Sequence, residues 1–362
     1  MPDSPPIVER RLSTLIPASR APESRMFTHP SRVVDYYVPR VEEVILPAVA
    51  RPERERTWTL CRGMLPHPST SLKAKVRQAW KDPQVLTAVE RRDDRIFFDV
   101  RSDTDRNPFH VLATAVLFLM CRRALDDAGL PGGELTVVLK AAPSGLARTV
   151  FDLLGIAWMG TDRRLFGRYV PETAPEPQDI FPFLDATLGA PFDGYRRDTP
   201  KRVFFPRKGA REIENTEEVS AFLARYGFET IAPETLSIPD QWSIARNAEA
   251  AVVVHGASWW SFFLSRFGLD RDPATTAPPV FIDLYSPAFT VQVTNELAEA
   301  VGARYCAVRG QLTPDMLKKL DFDPSPGPPS PLVDPAPWPF RVSTEAVRRA
   351  LAHAELTHPA GG

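Results

Sequence analysis

Three groups of residues in this chain have the types and spacing to bind a phosphorylated ligand. The first is Pro206-Arg207-Lys208-Gly209-Ala210-Arg211, directly after the apolar run Val203-Phe204-Phe205. Guanidinium groups grip phosphate oxygens in pairs, and an ammonium adds a point charge. The second is His255-Gly256-Ala257-Ser258, directly after Ala250–Val254. A strand that turns into a helix there leaves unpaired N–H groups and the positive end of a helix dipole at one spot. Gly256 and Ala257 would let a ligand approach the backbone closely. The third is Asp283, placed after Phe281-Ile282, whose carboxylate could hold a ribose or sugar hydroxyl. Arg207, Lys208, Arg211, His255, Gly256, Ala257 and Ser258 together suit a diphosphate. His110, at the head of the apolar segment Phe109–Leu125, is a candidate general base. Each feature has a plainer reading. The cations suit a solvated basic loop, the 255–258 turn a plain connection capped by Ser258, and Asp283 a turn cap. His255 could be a satisfied histidine near the core, and His110 could bond the loop 103–106.

Those residues need strands to carry them to one rim. Ala250–Val254, five small or β-branched apolar residues, reads as a fully buried parallel strand. Around it the second half alternates. Strands are expected at 202–205, 229–231, 280–284 and 304–308, and helices at 216–226, 238–247, 259–267, 291–301 and 313–319. Such alternation predicts a parallel sheet with helices on both faces. Ligands of open parallel sheets bind beyond the carboxyl ends of the strands, where the three groups lie. The first half predicts strands at 95–100, 134–140 and 165–170, a buried helix over 109–125 and another over 144–154. Residues 71–91 are weakly helical. The expected organisation is an irregular N-terminal arm over 1–60, an α/β domain over 61–190, a second α/β domain over 191–325, and a Pro-rich linker with a terminal helix over 326–362.

Composition removes several classes. The net charge is −1, with 44 basic and 45 acidic residues, so no global field favours nucleic acid. The three cysteines, Cys61, Cys121 and Cys306, show no paired spacing and read as reduced thiols of a cytoplasmic protein. The opening MPDSPPIVERRL lacks the apolar core of a signal peptide. The longest uncharged runs fall short of the ~20 apolar residues of a transmembrane helix. Arg10, Arg11, Arg20 and Arg25 could touch an anionic membrane, though a disordered arm also accounts for them. No GxGxxG follows a strand, which argues against a nicotinamide-dependent enzyme. Asp103-Thr104-Asp105 has metal-ligand spacing but precedes a helix of the first domain, so no metal site is expected.

The order of motifs resembles glycosyltransferase family 61, the capsular-polysaccharide-type enzymes. The resemblance runs through Arg207…Arg211-Glu212-Ile213-Glu214-Asn215-Thr216, Gly227-Phe228, Leu236-Ser237…Gln241, His255-Gly256-Ala257 and Phe281-Ile282-Asp283-Leu284, with Asn107-Pro108-Phe109-His110 upstream. It implies two Rossmann-like domains facing across a cleft, a GT-B-like fold. It also implies inverting transfer from a nucleoside-diphosphate sugar to a glycan acceptor in bacterial capsular or surface polysaccharide synthesis. Cations and backbone amides would stabilise the leaving diphosphate without a metal. The enzyme would work in the cytoplasm, with peripheral membrane contact at most. The chain departs from the family at Ser258-Trp259-Trp260-Ser261, where Gly and then Asn are usual. No acidic residue follows His110, since Leu112-Ala113-Thr114 stands there, and Asp283 replaces a Glu. The two tryptophans would narrow the site, or Trp259 would stack on a sugar or base. These departures leave an alternative: a non-catalytic nucleotide-sugar or glycan-binding member of a polysaccharide assembly.

Overall fold

The structure is a computed structural model that describes residues 6–16, 18–28, 41–65, 89–101, 107–171, 194–264, 277–287, 293–311 and 338–358. Several expected features lie outside them: most of the 71–91 helix, Asp103-Thr104-Asp105, the 313–319 helix and most of the Pro-rich segment. The chain forms two compact units, Met1–Ala18 with Pro52–Thr187, and Ser19–Arg51 with Leu188–Gly362.

In chain order the strands are β1 (Ile7–Ile16), β2 (Ser19–Ala21), β3 (Ser24–Thr28), β4 (Glu42–Leu46), β5 (Val49–Arg51), β6 (Arg54–Met64), β7 (Val89–Asp99), β8 (Leu135–Leu139), β9 (Trp158–Gly160), β10 (Arg164–Val170), β11 (Arg202–Phe205), β12 (Glu229–Thr230), β13 (Ala250–Val254), β14 (Val280–Tyr285) and β15 (Arg304–Arg309). The helices are α1 (Pro108–Asp127), α2 (Gly145–Leu153), α3 (Thr216–Ala224), α4 (Ile238–Asn247), α5 (Trp259–Leu264), α6 (Val293–Ala300) and α7 (Thr344–His353).

The first unit is a mixed sheet in the order β1-β6-β10-β7-β8-β9. Strands β10, β7, β8 and β9 run parallel to one another, and β6 is antiparallel to β1 and β10. Helix α1 begins at Asn107, whose carbonyl accepts from the Val111 N–H, and Pro108 occupies the first helical position. Its apolar face, from Val111 through Phe118 to Leu125, is buried as expected. Phe118 meets Phe98 of β7 edge-on at 6.1 Å, and Trp58 of β6 packs against Phe98 at 6.2 Å.

The irregular arm expected over 1–60 is not what forms. Strand β1 buries Leu12, Thr14 and Ile16 and exposes the residues between them, a period of two that Arg10, Arg11 and Ser13 obscure in the sequence. Strand β6 supplies the buried Trp58 and Leu60. Glu42–Leu46 of the same stretch form the short strand β4.

The second unit carries the expected parallel α/β sheet, in the order β12-β11-β13-β14-β15-β3-β4. All neighbours are parallel except β3 and β4. Strand β13 lies where predicted and is buried at all five residues. Each of its three valines contributes roughly 1.5–3 kcal/mol by leaving water. After β10 the chain rejoins this sheet at β11, steps outward to β12, and then crosses back to β13 on the other flank of β11. The connections leaving the carboxyl ends of β11 and β13 therefore diverge, which opens a crevice between those two ends.

Two corrections concern the margins of this sheet. Strand β3, from the supposed arm, pairs parallel with β15. The terminal helix is not an appendage either. Ala346, Val347, Ala350 and Leu351 of α7 share one core with Phe204, Val252, Ile282 and Val308. Asn215 holds that end of the chain in place. Its Nδ2 donates to the Val342 carbonyl at 2.9 Å, and its Oδ1 accepts from the Val342 N–H at 3.0 Å.

Candidate functional site

The crevice beyond β11 and β13 collects the cations singled out in the sequence. After Phe205 the chain makes a tight turn in which the Glu212 N–H bonds the Gly209 carbonyl at 3.1 Å, and the Gly209 N–H bonds Glu212 Oε2 at 3.0 Å. Gly209 has φ 80° and Arg211 φ 63°. A left-handed arginine is uncommon and costs on the order of 1 kcal/mol or more. Residues in such conformations cluster at binding sites. The turn brings Arg207 against the loop after β13, where its Nη1 donates to the His255 carbonyl at 3.4 Å. A Cβ on Gly256 would stand 2.1 Å from Arg207 Nη1 and 3.9 Å from Arg211 Nη2. The absence of a Cβ at Gly256 is thus what lets Arg207 Nη1 lie there, while Arg211 Nη2 reaches the same position at ordinary contact distance.

Arg207 is half-buried, and among the described residues no carboxylate forms an ion pair with it. Burial pushes its pKa below the ordinary guanidinium value, and Glu234 partly offsets this. Guanidinium stays charged in proteins even so. A desolvated cation without an ion-pair partner favours an incoming anion.

Under that corner lies a hydrogen-bonded network. The sheet register sets Val253 beside Asp283, so the chain leaving β13 places His255 above the carboxylate. His255 Nδ1 and Asp283 Oδ2 are 2.9 Å apart, and the carboxylate is fully buried. Tyr305 Oη lies 3.3 Å from the same oxygen and 3.2 Å from Tyr285 Oη, which is 3.1 Å from Thr294 Oγ1. Asp283 Oδ1 is buried and has no hydrogen-bond partner among the described residues. The Tyr285 ring stacks on His255 with centroids 4.4 Å apart and an interplanar angle of 21°. Burial, with the neighbouring Asp283 carboxylate adding to it, raises the pKa of both tyrosines well above 10. They are therefore neutral hydroxyls.

The expected residues are not all displayed in the same way. Arg207, Arg211, Gly256, Ala257 and Ser258 are half-buried at the crevice, and Lys208 is exposed. Asp283 lies inside β14 rather than in the loop beyond it, because apolar residues continue on both sides of it. It is closed off from solvent and engages His255, so the expected contact with a ribose or sugar hydroxyl gives way to an internal one. Trp259 is 2% exposed, stacked on Phe263 at 5.6 Å and packed against Phe281 at 5.2 Å. That ring serves the core and offers no open stacking face. Trp260 is buried as well. His110 belongs to the first unit, in the opening turn of α1, half-buried. Among the described residues no group of three or more His, Cys, Asp and Glu is arranged to hold a metal.

Other motif residues have structural tasks. Ser237 caps α4, accepting from the Asp240 N–H at 3.2 Å. Gln241 Nε2 donates to the Pro233 carbonyl at 2.9 Å and fixes the turn before that helix. Sequence reasoning missed Tyr285, Tyr305 and Thr294. The available signal was a carboxylate within an otherwise apolar strand, since a buried Asp needs partners. It also missed Arg309, a half-buried cation at the carboxyl end of β15, whose Nε donates to the Pro287 carbonyl at 3.2 Å.

Among the described residues no helix is long and apolar enough to cross a membrane. A search of curated proteins returns no match. The family model described as Glycosyltransferase 61 matches residues 161–266. That span contains Arg207, Arg211 and the 255–258 turn, and stops short of Asp283. The match makes this stretch of the chain similar to glycosyltransferase family 61, a family of glycosyltransferases.

Proposed function

We propose that this chain is an inverting, GT-B-like glycosyltransferase that moves a sugar from a nucleoside-diphosphate sugar to a glycan acceptor in capsular or surface polysaccharide synthesis. The observation that carries the reading is the half-buried Arg207 guanidinium, laid over Gly256 at the divergence of β11 and β13 with Arg211 beside it. In this reaction the bond from the anomeric carbon to phosphate breaks, and negative charge gathers on the leaving diphosphate. Preorganised cations in a partly desolvated site stabilise that charge, and removing one such contact typically costs 10²–10³-fold in rate. Arg207 and Arg211 grip the diphosphate, the amides of Gly256, Ala257 and Ser258 face it, and Lys208 adds charge from the rim. The guanidinium groups take the place of a divalent ion, so the reaction is metal-independent. The acceptor hydroxyl gives its proton to His110 as general base. The non-catalytic alternative drew on Trp259-Trp260 crowding the loop and on the absence of an acidic residue at Leu112-Ala113-Thr114; the second departure stands. With both rings buried, the first no longer favours it.

The test combines binding and turnover. The melting temperature is measured with UDP, GDP and CMP at matched concentrations, with and without Mg²⁺. One nucleoside diphosphate should raise it equally in both conditions. Arg207→Ala should lose that shift and the transfer activity while keeping the circular dichroism spectrum. Undiminished turnover in this variant would sink the assignment.

A further inference from the structure

We propose that Arg309 is a second anion-binding residue of this rim, and that it receives the carboxylate of an acidic sugar while Arg207 holds the diphosphate. The inference rests on the diphosphate reading of Arg207. It adds the class of sugar that the site selects.

The sheet register puts the two arginines on one rim. Phe205, Val253, Asp283 and Ala307 stand side by side on β11, β13, β14 and β15. Two residues further along each chain, Arg207, His255, Tyr285 and Arg309 continue that row, because side chains in a strand return to the same face every second residue. The contacts agree. Arg207 bonds the His255 carbonyl, the His255 ring stacks on Tyr285, and Tyr285 pairs in register with Arg309. The opposite face, with Phe204, Val254, Leu284 and Val308, is committed to the core shared with α7. Three steps of ~4.8 Å put β11 and β15 about 14 Å apart along the rim. A diphosphate and one sugar ring bridge that span when two long side chains reach in from its ends.

Arg309 is held in place without being neutralised. Its Nε and Nη2 both donate to the Pro287 carbonyl, Nε at 3.2 Å. Among the described residues no acceptor meets Nη1, and no carboxylate forms an ion pair with the group. Burial lowers its pKa from the ordinary guanidinium value, and no neighbouring charge offsets this. The arginines of this chain that serve as braces are matched: Arg51 meets Glu296 and Arg101 meets Asp99, each at 2.7 Å. On Arg309 the edge formed by Nη1 and the second Nη2 hydrogen is a planar fork, which fits both oxygens of a carboxylate. The backbone fixes that fork in advance. The Gly310 N–H bonds the Tyr285 carbonyl and the Gln311 N–H bonds the Arg341 carbonyl, both at 2.8 Å. A Cβ on Gly310 would stand 2.2 Å from the Phe340 ring, so the chain leaving Arg309 is seated directly on that ring. A half-desolvated cation whose position is already set binds an anion without losing side-chain freedom.

The experiment is calorimetric titration of the full chain with UDP, UDP-glucose and UDP-glucuronate, and with GDP, GDP-mannose and GDP-mannuronate as the matched guanine set. A second arm titrates the chain, loaded with whichever nucleoside diphosphate binds, with methyl β-glucuronide and methyl β-glucoside. The first arm reads a carboxylate on the transferred sugar, and the second reads one on the acceptor glycan. In one arm wild type should bind the acidic member about tenfold more tightly than its neutral partner, the worth of one charge-assisted contact. Arg309→Met keeps the aliphatic stem and should bring that ratio to about one. Arg309→Lys keeps the charge without the fork and should retain only part of the preference. A residue that merely braces the Pro287 carbonyl would weaken acidic and neutral ligands alike and leave the ratio unchanged. No preference for the acidic sugar in either arm, or a ratio that survives in Arg309→Met, overturns the role of Arg309 and leaves the diphosphate site standing. If wild type binds neither UDP nor GDP, the proposed function falls and this role falls with it.

Discussion

Each unit holds one aspartate near the carboxyl end of a central strand, and the two are used in opposite ways. In the first unit, Asp99 of β7 is saturated. Its Oδ1 accepts from Arg101 Nε at 2.8 Å and its Oδ2 from Arg101 Nη2 at 2.7 Å, and the arginine side chain has no exposure. Arg101 Nη1 then fixes the Arg163 carbonyl at 2.7 Å. In the second unit, Asp283 faces a histidine and a tyrosine and keeps one oxygen without a hydrogen-bond partner among the described residues. A guanidinium closes an ion pair permanently, because it does not release its proton. An imidazole leaves the pair open, because it gains and loses a proton under mild conditions. The first arrangement braces a loop, and the second ties the turn after β13 to β14.

The comparison is open to direct attack, beginning with the largest effect. Arg101→Ala should cost the first unit about 3–5 kcal/mol, since it strands a carboxylate and a carbonyl in a poorly solvated place. Urea denaturation followed by hydrogen exchange would locate the loss there, and nucleotide-induced melting shifts should stay as in wild type. Asp283→Asn should behave inversely. Turnover should fall about 100-fold, equivalent to roughly 2.7 kcal/mol, while urea stability changes by much less. Similar urea losses for the two variants would erase the distinction between the two aspartates.

Alkaline pH should expose a third contrast. Burial raises the Cys306 thiol to about 12 and the Tyr285 and Tyr305 hydroxyls well above 10, all in the second unit. In the first unit Cys121 is raised to about 12, with smaller rises at Cys61 and Tyr169. A folded-state pKa above the unfolded value contributes stability that is complete below the unfolded value and lost as pH climbs toward the folded one. The loss therefore begins above pH 9, where unfolded thiols start to ionise, and steepens above 10. Each ionising group contributes up to about 1.4 kcal/mol per pH unit. Urea midpoints read separately for the two units between pH 8 and 11 should fall faster for the second. The smallest effect belongs to Lys208→Ala. As an exposed charge it should weaken nucleotide binding by about threefold or less, a difference that fades in high salt.

Much of the second unit was legible because its strands are buried on both faces. Ala250–Val254 reads as a strand from composition alone, and the residues beyond each strand could be collected into one site before any geometry was known. Gly256 was marked for close approach, and the atoms that approach it are those of Arg207. The His255–Asp283 pair was not legible. The partners stand 28 residues apart, and only the register of β13 on β14 brings them together. Trp259 was misleading because an aromatic after a glycine-containing turn suits either a ligand or a core, and packing against Phe262, Phe263 and Phe281 decided it. Strand β1 was hidden by charge, since an edge strand buries only alternate side chains and carries arginines on the others, and β3 was hidden by its shortness.

The pairing of β3 with β15 also sets a schedule for synthesis. Met26 must find Ala307, about 280 residues later in the chain. At ribosomal speeds of ~5–20 residues per second, the early segment waits on the order of 15–60 s for its partner. Throughout that interval Phe27, which ends up buried beside Cys306 and Val308, is in water and available to chaperones or to another nascent chain. Slow codons placed early in the message would leave this interval unchanged, whereas slow codons between the two strands would lengthen it and should lower the soluble yield.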